Sequence, residues 1–67
     1  MKVRELTNML WYVCKIKVYN NRFDLENDIP AFSGTNHDTL SYTFVPFLNR
    51  TVKSFVIIDD YFCIILK

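Results

Sequence analysis

Glycine is almost missing from this chain: Gly34 is the only one in 67 residues. A loop that cradles phosphate on successive glycines is therefore excluded. Histidine is as scarce, His37 alone, so a multi-histidine metal centre is out of reach. Two cysteines, Cys14 and Cys63, are too few for the disulfide framework that small secreted domains carry. No sign of charge dominates: eight Lys and Arg against seven Asp and Glu leave a net charge of +1. A dedicated nucleic-acid binder draws much of its affinity from a large positive excess, and a nucleic-acid mimic needs the opposite. No apolar run approaches the roughly 18 residues that span a bilayer. The opening M-K-V-R-E-L-T-N is not followed by an apolar stretch with a small-residue cleavage site. The expected setting is a reducing cytosol, with no membrane contact. There the glycosylation pattern at Asn49-Arg50-Thr51 carries no meaning.

What is present is a core. Hydrophobic residues make up 51% of the chain and aromatics 16%, too much for a disordered tail. The length fits one small domain over 1–67, burying roughly 60% of the surface its unfolded form exposes. A deep active-site cavity does not fit easily into so thin a core.

Val3, Leu6, Met9 and Leu10 recur at helical spacing, with Arg4, Glu5, Thr7 and Asn8 between them. This predicts a helix over 3–12, with Glu5 in the first turn where the helix dipole favours it. The period then changes to two. Cys14, Ile16 and Val18 alternate with Lys15, Lys17 and Tyr19, a half-buried strand over 13–19 ended by Asn20-Asn21. Residues 20–38 are rich in Asn, Asp, Ser and Pro and keep no clean period. They are expected to be mostly a long loop, with room for a helical turn or irregular strand around Phe23 to Asn27. T-L-S-Y-T-F alternates again and predicts a strand over 39–44, after which V-P-F-L-N makes a short helical turn. Residues 51–58 and 61–66 are two apolar runs hinged on Asp59-Asp60, and aspartate suits a turn. They predict a C-terminal β-hairpin, with Ile57, Ile58, Ile64 and Ile65 largely buried and one face of the hairpin covered by the N-terminal helix. The fold class is therefore α+β: one N-terminal helix packed on a small, mainly antiparallel sheet of about four strands.

M-K-V-R-E-L at the start, K-I-K-V-Y in the first strand and V-P-F-L-N-R-T-V-K-S-F-V-I-I-D-D-Y-F-C-I-I-L at the end resemble small proteins of phages and prophages of Gram-positive bacteria. These read as an amphipathic helix, a strand with the K-[IV]-x-V-Y pattern and a closing hairpin. The resemblance covers about residues 1–19 and 45–66; residues 20–44 match no pattern. It implies a phage or mobile-element context. Some small phage proteins inhibit host defence enzymes, CRISPR effector complexes included, by occupying a protein surface. The resemblance therefore extends to an anti-CRISPR-like inhibitor. It transfers no functional residue.

Candidate chemistry is sparse. His37-Asp38 has the composition of an oriented general base, but no nucleophile is placed beside it by the sequence, and a lone loop histidine is usually solvated. Asp24, Glu26 and Asp28 alternate as in a calcium loop, without its central glycine and closing glutamate, and read better as a solvated polar loop. No cofactor is expected. Cys14 and Cys63 read as two buried thiols behaving as small hydrophobes, with a bridge as the alternative if their strands are adjacent. Asp59 and Asp60 read as a turn rather than a carboxylate pair.

Two binding readings remain. Trp11, Tyr12, Phe23, Phe32 and Phe47 exceed what a small core easily buries, and aromatics with arginine anchor protein interfaces. Arg22, Phe23, Phe32 and His37 in the long loop are the candidate contacts with a host or phage protein. The same rings would equally complete a thin core beneath the loop. The alternative is an RNA or single-stranded-DNA face made of Lys15, Lys17, Tyr19 and Tyr42, binding by charge and stacking. Lysines on such a strand also guard an edge against aggregation. An exposed last strand, F-C-I-I-L, would allow a homodimer by edge pairing. The expected protein is a non-enzymatic binder.

Overall fold

The computed structural model describes residues 1–10, 13–37 and 42–67. Its elements run α1 (Val3–Asn8), β1 (Lys15–Tyr19), α2 (Arg22–Glu26), β2 (Phe32–Thr35), a 3-10 turn (Val45–Phe47), β3 (Val52–Ile58) and β4 (Tyr61–Leu66). The class is α+β, with two short helices and a four-stranded sheet of order β2-β1-β4-β3. β1 pairs antiparallel with β2 and parallel with β4, and β3 pairs antiparallel with β4. The sheet is thus mixed: the two hairpin-like pairings are joined through one parallel contact.

α1 is shorter than its apolar spacing suggests. It starts at Lys2, whose backbone N–H donates to the Glu5 carboxylate at 2.9 Å, one half of a capping box. It ends at Met9, which caps the helix and is exposed. Beyond it the sequence turns to residues that prefer strands, and the residues 11–12 of the expected helix lie outside those described. Val3 and Leu6 enter the core, while Leu10 packs at its margin.

The segment expected to be a long loop holds a helix and a strand. The Asn21 side chain accepts from the Asp24 N–H at 2.8 Å and nucleates α2. β2 then supplies the fourth strand, with Phe32 opposite Val18 and Gly34 opposite Ile16. The strand expected at 39–44 is not where the fourth strand forms. Tyr42, Thr43 and Phe44 lie in a turn leading into the 3-10 helix, and 39–41 fall outside the described residues. Phe44 is nevertheless fully buried and stacks on Phe32, ring centroids 4.5 Å apart.

Pairing sorts the side chains onto two faces. One carries Phe32, Ile16, Val18, Phe62, Ile64 and Phe55; the other carries Lys15, Lys17, Tyr19, Tyr61, Cys63 and Ile58. The core lies on the first face, where Val3, Leu6, Phe44 and Leu48 cover Ile16, Val18, Ile64 and Leu66. Ile64 and Ile65 are buried as expected, but Ile57 and Ile58 are exposed, at 69% and 43%. Outer strands of a four-stranded sheet lie about 14 Å apart, and one helix covers about 10 Å of width. The cover of α1 and the 3-10 segment is spent on the β1 and β4 half of the sheet.

Asp59 and Asp60 close the hairpin with φ of 50° and 68°. Positive φ at both central residues is what a type I′ turn requires. β4, the last strand, lies between β1 and β3, so it offers no free edge for dimerisation. Among the described residues the outer strands are β2 and β3.

Candidate functional site

α2 is the feature that distinguishes the Lys17 face. After it the chain turns at Asp28, which has φ of 52°, an αL value that aspartate tolerates better than most residues. The Asp28 carboxylate accepts from the Tyr19 hydroxyl at 2.9 Å and from Lys17 Nζ at 3.3 Å. Lys17 Nζ also lies 4.3 Å from the centre of the Tyr61 ring, a cation–π distance. These contacts tie the end of α2 to the middle of the sheet. Leu25, Ile58 and Asp59 complete the walls of a cavity of about 250 Å³ beside them.

The electrostatics match that geometry. Burial of the Tyr19 ring, then its hydrogen bond to Asp28, push the phenol pKa up to about 12. The same hydrogen bond, with Lys17 beside it, holds the Asp28 carboxyl below its ordinary value. Lys17 and Tyr19 are therefore engaged within the chain. Tyr19, expected to offer a stacking surface, is 2% exposed and has no free ring face. Lys17 is half-buried, Lys15 stands exposed with its ammonium 5.6 Å from the Tyr61 ring, and Tyr42 is exposed in the turn before the 3-10 helix. β1 is an inner strand, so its lysines do not guard an edge.

The four candidate protein contacts are not brought together. Arg22 and Phe23 are exposed on α2, beyond the C-terminal end of β1. His37 is exposed in the turn after β2, whose Thr35 pairs with Lys15 at the other end of β1. At about 3.3 Å per strand residue the two ends are on the order of 13 Å apart. Phe32 is no interface anchor: it is buried in the core against Phe44. Of the other surplus rings, Phe47 packs at the margin of the core, while Trp11 and Tyr12 lie outside the described residues. Among the described rings of that group, Phe23 alone combines high exposure, 68%, with an arginine next to it.

The cysteines are free thiols on opposite faces, Cys14 against the core margin and Cys63 beside Lys17. Burial pushes both thiols up in pKa, away from nucleophilic character. No group of three or more His, Cys, Asp or Glu among the described residues could hold a metal ion. In D-L-E-N-D, Asp24 sits in the first turn of α2 and Asp28 is bound to Tyr19 and Lys17. Likewise no helix among the described residues is long and apolar enough to cross a membrane.

Two structural residues escaped the sequence reading. Asn21 carried a signal, N-R-F-D, an asparagine followed three residues later by an acid just where a helix starts. Asn36 carried none: its side chain accepts from the Cys14 N–H at 3.0 Å and its own N–H donates to Cys14 O at 3.2 Å, extending the β1–β2 pairing. The fold defines a small α+β protein with two short helices and a four-stranded mixed sheet. Compared with known proteins, the chain matches no family model, no curated protein and no solved structure.

Proposed function

We propose that this chain is a non-catalytic protein-binding module of a phage or mobile element. In this reading it acts in the bacterial cytoplasm by occupying, and thereby inhibiting, a host protein, a CRISPR or other defence nuclease being the leading class. The observation that carries it is Phe23, a large apolar ring 68% exposed on a capped helix. A ring held out on a rigid element loses little freedom on binding, and aromatics and arginine dominate interface energetics. Arg22 stands beside it, and Ile29, 56% exposed, follows the helix. The phage context rests on the resemblance of residues 1–19 and 45–66. Nucleic-acid binding is the weaker reading, because Tyr19 is buried and Lys17 is held by Asp28.

The test is affinity capture from a bacterial lysate with wild type, Phe23→Ala and Phe32→Ala, each with a thermal melt. A specific host protein should be captured by wild type. Phe23→Ala should weaken capture by roughly thirtyfold, about 2 kcal/mol, at an unchanged melting temperature. Phe32→Ala should instead unfold or nearly unfold the chain, since deleting a buried phenylalanine costs about 3–5 kcal/mol. Capture that survives Phe23→Ala overturns the α2 site, and no specific capture overturns the binding reading.

A further inference from the structure

The sheet has two edges of unequal character. β2 is four residues long, and short edges rarely recruit another strand. β3 is seven residues, V-K-S-F-V-I-I, and its Phe55, Val56, Ile57 and Ile58 are exposed at 53%, 41%, 69% and 43%. Its beginning is closed by the N-terminus: the Val52 N–H donates to Met1 O at 2.7 Å and Lys2 bridges Thr51. Beyond a bulge between Val52 and Ser54 the edge is open. The two-residue turn makes Ile58 and Tyr61 the closing hydrogen-bonded pair, and such pairs alternate along an antiparallel ladder. Val56 and Ile58 therefore direct their backbone groups to β4, while Phe55 and Ile57 direct theirs outward. Two N–H and two C=O groups thus line an apolar edge with no strand beyond it among the described residues.

We propose that β3 pairs antiparallel with β3 of a second copy about a two-fold axis through Val56, making one continuous eight-stranded sheet. The register follows from three observations. With the axis at Val56, Phe55 of each copy faces Ile57 of the other and all four outward backbone groups are bonded; an axis at Phe55 or Ile57 bonds only half of them. The same register sets Lys53 of each copy opposite Asp59 of the other, and neither has an ion-pair partner within its own chain among the described residues. Phe55 is already stacked on Phe62, centroids 4.9 Å apart, so it meets the incoming Ile57 on a fixed surface. Lys53, which as a lone edge lysine would repel a copy paired in another register, selects this one. A two-fold contact closes on itself and leaves only the short β2 edges. This inference does not depend on the α2 reading.

The test is sedimentation velocity of the wild-type chain from micromolar to near-millimolar concentration. An interface of two strand edges falls near the low end of stable contacts, so a monomer–dimer equilibrium with a micromolar dissociation constant is expected. Lys53→Glu, at an exposed position, should weaken it about tenfold or more with an unchanged circular dichroism spectrum, because it sets an acid against Asp59. The register is read by oxidative cross-linking in a Cys14→Ser background. A mixture of Phe55→Cys and Ile57→Cys chains should form the mixed disulfide, and neither variant should cross-link well with itself. A monomer at every concentration, a dimer indifferent to Lys53→Glu, or self-linking of either variant in preference to the mixture would each overturn the proposal. A protein that pairs this edge only with a different partner would give the first of these results.

Discussion

At the residue scale, the pair Tyr19 and Asp28 shows how a surface that reads as functional becomes structural. Tyr19 falls on the same strand face as two lysines, which by pattern alone suggests a basic and aromatic platform. α2 and its exit turn then bring Asp28 over that face, and the hydroxyl and Lys17 bond to it. The consequence is a pH signature at both ends. Asp28 is held below its ordinary pKa, so its contribution is present above about pH 4 and is lost as pH falls through its folded value. The carboxylate is exposed, and that loss will be small. Tyr19 is raised from 10 to about 12, so its contribution is present below pH 10 and is lost as pH rises toward 12. Ultraviolet titration of the phenols should therefore show a late-ionising phase from Tyr19. Tyr19→Phe should remove that late phase, and its persistence in the variant would assign it to another ring.

At the element scale, the hairpin turn is locally suboptimal. Asp59 and Asp60 both occupy the left-handed region, where a side chain with Cβ costs roughly 1 kcal/mol relative to glycine. Asp60→Gly should raise the melting temperature by roughly 4–8 °C per kcal/mol gained, and it leaves Asp59 in place. A lower melting temperature would mean that the Asp60 carboxylate makes a stabilising contact that outweighs its backbone cost. The helices are local as well: Asn21 caps α2 and Glu5 closes back on Lys2, both within three residues. Such contacts are what a sequence pattern can report.

At the scale of the whole molecule, charge and cover decide the exposed surfaces. A net charge of +1 spread over the chain gives no field to gather phosphates. The wild-type protein should pass through heparin or an oligonucleotide column at low salt without retention. Retention that weakens steeply with salt would revive the nucleic-acid reading, with Lys15→Glu as its first variant. Cover is the scarcer resource. One two-turn helix and a 3-10 segment shield half of one sheet face, α2 approaches the other, and β3 beyond Val52 is left exposed on both. Sixty-seven residues form a thin core, and the outer part of β3 lies beyond its cover.

The amino-acid order alone determined the α+β class, the strand K-I-K-V-Y, the closing hairpin and its aspartate turn, because each is written in a local period or a local turn preference. It also pointed to Phe23 as a surplus ring. It could not place the fourth strand. F-S-G-T carries too few apolar positions for a period, whereas T-L-S-Y-T-F alternates well, yet Phe32 pairs opposite Val18 and Phe44 closes over it from a turn. Nor could it separate Phe23 from Phe32, two phenylalanines in one polar stretch, since only the stacking on Phe44 buries one and leaves the other outside. The parallel join of β1 to β4 brings Lys17 alongside Cys63, residues far apart in the chain, and it fixes which strand lies at the edge. Edges, faces and burial are properties of long-range pairing, and long-range pairing is decided by the whole packed core rather than by any window of the sequence.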